Sequence, residues 1–398
     1  MPQRKNCFNK KHISELKAFT TSTFTEPLKH SFQCEHLSKQ VKKVTGIYVS
    51  PQTLRRFFGL IQSDFSPSVK TLNALAAYNG FPNWHSFTEQ FSNTNYQPLT
   101  LDQEANLYLH FYEIDVKEEA DMNYHNASKN VALRILFNPA LLSKVSSSLA
   151  ANPVSQVYFF ERFPYIDGLH SDVYKRAIQQ YLQKKTDDAQ IFGNSLLYLS
   201  DFLCNKRKDA KKYFDTMMQF QVNETMHPFA IARFVGTNIL NAHLNNENVE
   251  HWINEAKRWN QFFLQKGKIK FWSYPYFQHM IGDYINLCGL FEDSYSIVKT
   301  IQHFDENYEI EKGYREALQI IYSIGRHSVS SFNYKNWFVY ESEKHFETIS
   351  PLFKKYHELQ ALAVYRSCVS GKKREKITEN MNRLIAQTGF TYFSNFLL

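Results

Sequence analysis

Apolar residues recur along this chain at helical spacing, and short polar breaks divide them into segments. Leu37, Val41 and Val44 lie at i, i+4 and i+7, one face of a single helix. Thr45-Gly46 ends that segment, because glycine accepts the left-handed backbone at a helix C-terminus. Ser50-Pro51 starts the next, with serine as cap and proline at the first helical position. Leu54, Phe57 and Phe58 form its inward face, and Gly59 closes it. Ser66-Pro67-Ser68 is a third start signal, followed by Val69, Leu72, Leu75 and Ala76 at helical spacing and by the stop Asn79-Gly80. Residues 82–91 read as one more short helix anchored by Trp84 and Phe87, and Ser92-Asn93-Thr94-Asn95 as a polar linker.

Residues 101–398 alternate helix-length apolar stretches with brief polar breaks. Leu203, Leu244 and Leu287 each precede an acidic residue by six positions; Asp209, Glu250 and Asp293 are therefore 41 and 43 residues apart. The same step back reaches a break at Asp167-Gly168, and two steps forward reach breaks near Asn333 and Gly371. A period near 40 residues predicts stacked helical hairpins, each burying its apolar face against its neighbours. The expected fold is all-α, with an N-terminal domain over residues 1–92 and a helical-repeat body over residues 96–398. Few Gly (13) and Pro (12) in 398 residues argue against a loop-rich β fold, and the many Phe (34) and Tyr (24) suit knobs between packed helices.

Net charge becomes informative once it is located. Residues 1–90 hold twelve Lys and Arg against five Asp and Glu, so +7 of the overall +8 sits in the first quarter. A basic module on a near-neutral body points to a polyanionic partner for the module alone. No apolar run reaches the roughly 18 residues of a membrane helix, so no membrane partner is expected. The start, Met1-Pro2-Gln3-Arg4-Lys5-Asn6, lacks an apolar segment behind its basic residues, so a secretory signal is not expected either. Five scattered cysteines without a CxxC pair fit reduced thiols and a cytoplasmic location. Cys7, His12, His30, Cys34 and His36 gather near the N-terminus, but their spacing fits no common zinc site. No HExxH, phosphate-binding Gly loop or GxSxG motif is present, and Asp187-Asp188 reads as helix N-terminal charge rather than a catalytic pair. No enzyme activity, metal or cofactor is expected.

The segment from Ser50 to Phe58 carries the sharpest chemistry. With Leu54, Phe57 and Phe58 inward, a helical step near 100° sends Gln52 and Arg56 outward, with Thr53 and Arg55 on the flanks. Arginine pairs bidentately with guanine and glutamine with adenine in the major groove, so this face suits base readout. Ser50 and the neighbouring N–H groups can hold a phosphate, and Lys39, Lys42, Lys43 and Lys70 add attraction to the backbone.

Residues 37–80 resemble the helix-turn-helix of the Cro and phage-repressor class. Gly46, Val49, Ser50, Thr53, Leu54, Arg56, Pro67, Leu72, Leu75 and Ala76 carry the likeness. Two features differ from that pattern: a longer turn, and Lys42 where a small residue usually allows close helix approach. Farther on, residues 281–295 resemble a tetratricopeptide hairpin, with Gly282 and Ser294 at its small close-contact positions. Leu203 to Ala210, followed by Phe214, is a looser match, while His251 departs by occupying the small site of another hairpin. A helix-turn-helix joined to such repeats is similar in layout to bacterial peptide-sensing regulators. That likeness implies a body used for dimerisation and for an effector groove, bound by a peptide or protein.

Asn194, Arg233, Asn238, Asn241 and Tyr284, on the first helices of hairpins, are the candidates to line such a groove, since Asn amides can bond a peptide backbone through paired donor and acceptor contacts. The resulting expectation is a DNA-binding transcriptional regulator acting on double-stranded DNA as a homodimer. The alternative is a protein-interaction scaffold whose helix-turn-helix does not bind DNA.

Overall fold

The computed structural model describes residues 8–24, 28, 30–62, 66–92, 99–116, 122–266, 274–301 and 312–397. Every regular element among them is helical, and no strand occurs among the described residues. The chain divides into two compact units, residues 1–99 and 100–398. The expected linker positions 93–95 and Cys7 lie outside the described residues.

Among the described residues, the first unit has five helices: α1 (Lys10–Phe24), α2 (Ser31–Thr45), α3 (Pro51–Phe58), α4 (Val69–Tyr78) and α5 (Trp84–Ser92). α1 buries Leu16, Thr20 and Phe24 at four-residue steps, and α2 buries Cys34, Leu37 and Val41. Their common core is completed by Leu54 and Phe57 of α3, Leu72 and Leu75 of α4, and Phe87 of α5. Phe58, expected inward, is half-buried and packs edge-on against Phe57 at 5.1 Å.

The second unit begins with α6 (Leu101–Tyr112), α7 (Met122–Leu136) and α8 (Pro139–Ala151). A short α9 (Pro153–Ser155) runs into a π-helical turn, Gln156–Glu161, and α10 (Asp172–Tyr181) follows. Then come pairs of helices joined by short turns. These are α11 (Asp187–Leu203) with α12 (Arg207–Met217), α13 (Pro228–Leu244) with α14 (Glu250–Lys266), and α15 (Tyr276–Leu287) with α16 (Phe291–Val298). α17 (Lys312–Arg326) is followed by the short α18 (Tyr334–Tyr340) and α19 (Ser342–Thr348). α20 (Lys354–Ser367) pairs with α21 (Gly371–Thr388), and a 3-10 segment, Thr391–Phe396, ends the described chain.

The two members of a pair are buried differently. α11 is buried at every position from Ala189 to Leu203, and α15 from Phe277 to Leu287. α12 buries only Ala210 and Met217. First helices thus form an inner layer with outer helices laid on it. Gly282 allows one close approach: a Cβ there would sit 2.5 Å from Val298 Cγ2 and 3.0 Å from Ile321 Cγ2. The buried Ser294 hydroxyl donates to Gly282 O at 3.1 Å across the same contact. The acidic positions 209, 250 and 293 fall at or just inside the starts of α12, α14 and α16, and the breaks near 333 and 371 fall just before α18 and at the start of α21. Asp187 and Asp188 occupy the first turn of α11.

Candidate nucleic-acid interface

Local chemistry sets the path from α2 into α3. Gly46 has φ 73° and returns its N–H to Lys42 O, closing α2 in the left-handed conformation that a Cβ disfavours. Lys42 and Lys43 lie in that last turn, where cations complement the helix dipole. The buried Ser38 hydroxyl donates to Val49 O at 2.5 Å, tying the connecting segment back onto α2. Ser50 caps α3 by accepting from Thr53 N at 3.1 Å, and its hydroxyl also meets Thr53 Oγ1 at 2.8 Å. Pro51 follows at the first position, and Gly59, at φ 80°, ends the helix.

This frame leaves α3 with one packed side and one open side. Leu54 is 0% exposed and Phe57 6%, whereas Gln52 and Arg56, one helical turn apart, are exposed. Lys39, Lys42, Lys43 and Lys70 are exposed too. Arg55 is only half-exposed and pairs with Glu35 at 2.7 Å, so it is tethered at the flank of the open face. Thr53 and Ser50 are half-buried and bonded to each other. With the Ser50 oxygen used by the cap and no N–H on Pro51, the start of α3 keeps little donor capacity for a phosphate beyond Gln52 N–H.

Tyr48 was absent from the sequence expectations. It is 58% exposed in the segment leading into α3, with Lys42 Nζ 6.0 Å from its ring centroid. The available signal was an aromatic residue between Ile47 and Val49 in the connecting segment, which no helical periodicity marks.

Most of the residues expected to line an effector groove are buried. Asn194 is 3% exposed, Arg233 1%, Asn238 2% and Tyr284 0%, so four of the five are interior rather than groove surface; Asn241 is half-buried. Asn194 and Asn238 donate to Gln190 O and Phe234 O, one turn back on their own helices, each at 2.9 Å. Arg233 donates to Tyr284 Oη at 3.3 Å and lies 5.1 Å from the Phe192 ring, while its Nε has no partner.

Later elements of the chain cover part of the inner layer. On the inner layer, Asp283 of α15 accepts from Tyr356 Oη at 2.9 Å and Gln360 Nε2 at 2.7 Å, both from α20. Asp167 in turn accepts from the backbone N–H groups of Lys355 and Tyr356, at 2.8 and 2.9 Å, capping α20 in place. Tyr392 of the terminal 3-10 segment donates to Leu287 O at 2.6 Å and packs on Phe202. Burial pushes the Asp283 carboxyl up to about 7 and the Asp167 carboxyl up to about 6, against the lowering effect of those hydrogen bonds. Burial also lowers His279 to about 3 and holds His357 well below the ordinary imidazole value.

No group of three or more His, Cys, Asp or Glu arranged to hold a metal occurs among the described residues. None of their helices is long and apolar enough to cross a membrane. No protein family, curated protein or solved structure matches this chain.

Proposed function

We propose that this chain is a DNA-binding transcriptional regulator whose first unit reads duplex DNA with α3. The observation that carries the reading is the exposed Gln52–Arg56 pair, on a doubly capped helix whose opposite side is packed into a core. A side chain that reads a base edge needs a rigid backbone beneath it, and the cap, the Ser38 tether and the Leu54–Phe57 packing supply one. The exposed lysines and the local charge excess supply sequence-independent attraction. In this reading α2 and α3 form the helix-turn-helix, and Arg56 and Gln52 specify bases. Tyr48 adds an exposed apolar contact at the groove edge.

The body, in the same reading, is a tetratricopeptide-like stack in the cytoplasm that pairs two chains and receives a peptide or protein effector. Pairing lets a dimer read two half-sites about one helical turn apart, which one small module does weakly alone. The test is fluorescence anisotropy of the full chain on duplex DNA across a salt series. Binding that weakens steeply with salt, at roughly 0.9 log units per log salt for each phosphate contacted, supports the reading. A folded chain that binds no duplex at low salt removes it and favours the scaffold alternative.

A further inference from the structure

α17 is amphipathic in an unusual setting. Ala317, Leu318, Ile320, Ile321 and Ile324 are buried in the body. The other stripe, from Arg315 through Gln319 and Tyr322 to Arg326, is not simply solvated: it floors a pocket walled by α18 and α19. The pocket has a volume of about 570 Å³, within the range of about 300–1,000 Å³ usual for small-molecule sites.

Three cations line it, Arg315, Arg326 and Lys344, against two carboxylates, Glu316 and Glu341. Both carboxylates are already engaged: Glu316 contacts His345 Nδ1, and Glu341 lies 3.6 Å from Lys344 Nζ. Neither arginine has a carboxylate within ion-pair distance among the described residues, and the buried Arg315 Nε has no hydrogen-bond partner. A guanidinium donor removed from water and left unmet is costly, and an incoming anion removes that cost. Between these charged groups lie the flat rings of Tyr322, Phe332, Trp337 and His345. Trp337, 6% exposed, stacks on His345 at 6.2 Å and 24°, and Arg326 lies 4.5 Å from the Phe332 ring. Arg315 and Arg326 are eleven residues apart on one helix, about 16 Å along its axis, so the pocket is long as well as cationic.

We infer that the pocket between α17 and α18–α19 binds an elongated small organic anion, its carboxylate or phosphate held by Arg315 or Arg326 and a planar ring laid against the aromatic wall. This inference stands on the pocket alone and does not depend on DNA binding. A nucleoside phosphate and an aromatic carboxylate share that chemistry, and separate probes distinguish them. The test is isothermal titration of the full chain with AMP, with indole-3-acetate and with inorganic phosphate.

One of the two ring-bearing probes binds more tightly than phosphate. Of Arg315→Gln and Arg326→Gln, the one at the arginine that holds the anion weakens that binding about ten-fold or more, the loss expected for a charge-assisted hydrogen bond, with circular dichroism unchanged. Arg315→Lys, which keeps the charge but loses the Nε donor, serves the same purpose should Arg315→Gln fail to fold. The inference is overturned if neither ring-bearing probe binds the folded chain at millimolar concentration. It is equally overturned if phosphate alone binds as tightly, or if the substitutions leave binding unchanged.

Discussion

Gly282→Ala asks whether the hairpin of α15 and α16 is as tightly closed as the structure draws it. The new methyl would lie 2.5 Å from Val298 Cγ2 and 3.0 Å from Ile321 Cγ2, with Ser294 Oγ at 3.5 Å. Val298 is 1% exposed and Ile321 0%, so neither can swing into solvent to make room. Alanine is otherwise the better helix former, by about 1 kcal/mol over glycine, so steric conflict must exceed that gain for the variant to be worse. Overpacking of a filled core costs roughly 1–3 kcal/mol, which less that gain leaves roughly 0–2 kcal/mol, and with both neighbours fixed we expect a net loss of about 1 kcal/mol. That corresponds to a fall of about 2–4 °C in the midpoint of thermal unfolding, followed by circular dichroism at 222 nm, the standard helical band.

Val298→Ala removes the nearer obstacle, so the two substitutions should couple. Val298→Ala alone costs roughly 1–3 kcal/mol through its cavity, and Gly282→Ala added to it should be close to neutral or stabilising. A Gly282→Ala variant as stable as the parent, or strictly additive losses in the double variant, would refute the close approach.

Asp283→Asn should change how stability depends on pH. Because the folded carboxyl is raised to about 7 from 3.8, the native protein holds a proton that the unfolded chain releases. The parent therefore loses stability relative to the variant as pH rises from about 4 to 7, by up to about 4 kcal/mol at 1.36 kcal/mol per pH unit. Denaturant titrations of both chains at pH 4.5 and 7.5 check this, and parallel curves would contradict it. Lys43→Ala should weaken binding to all duplexes about equally and reduce the salt slope by about 1. A change in sequence preference instead would place Lys43 at the bases.

Punctuation was the most legible part of this chain. Ser50-Pro51 and Gly46 act through their own backbone neighbours, so the start of α3 and the end of α2 could be read without tertiary knowledge. α1 was not anticipated, because its buried face includes Thr20 between Leu16 and Phe24, which dilutes the apolar pattern.

The interior position of Asn194, Arg233, Asn238 and Tyr284 was illegible for a different reason. Helices α11, α13 and α15 are buried almost all round, so periodicity does not separate a groove face from a packed one. What closes over α15 is α20, through Tyr356 and Gln360, more than 70 residues away in sequence. The pocket beside α17 depends in the same way on how α18 and α19 fold back, which no local motif announces.

The central claim is that α3 reads bases through Arg56 and Gln52. Selection of bound sequences from a random duplex pool, with the folded full chain and with Arg56→Ala, tests it most directly. The account predicts that the parent enriches paired half-sites about one helical turn apart. Arg56→Ala should lose roughly 1–3 kcal/mol on that sequence and flatten the preference at one base pair of each half-site. Enrichment of no sequence by the parent, or an identical motif and affinity from Arg56→Ala, would contradict it.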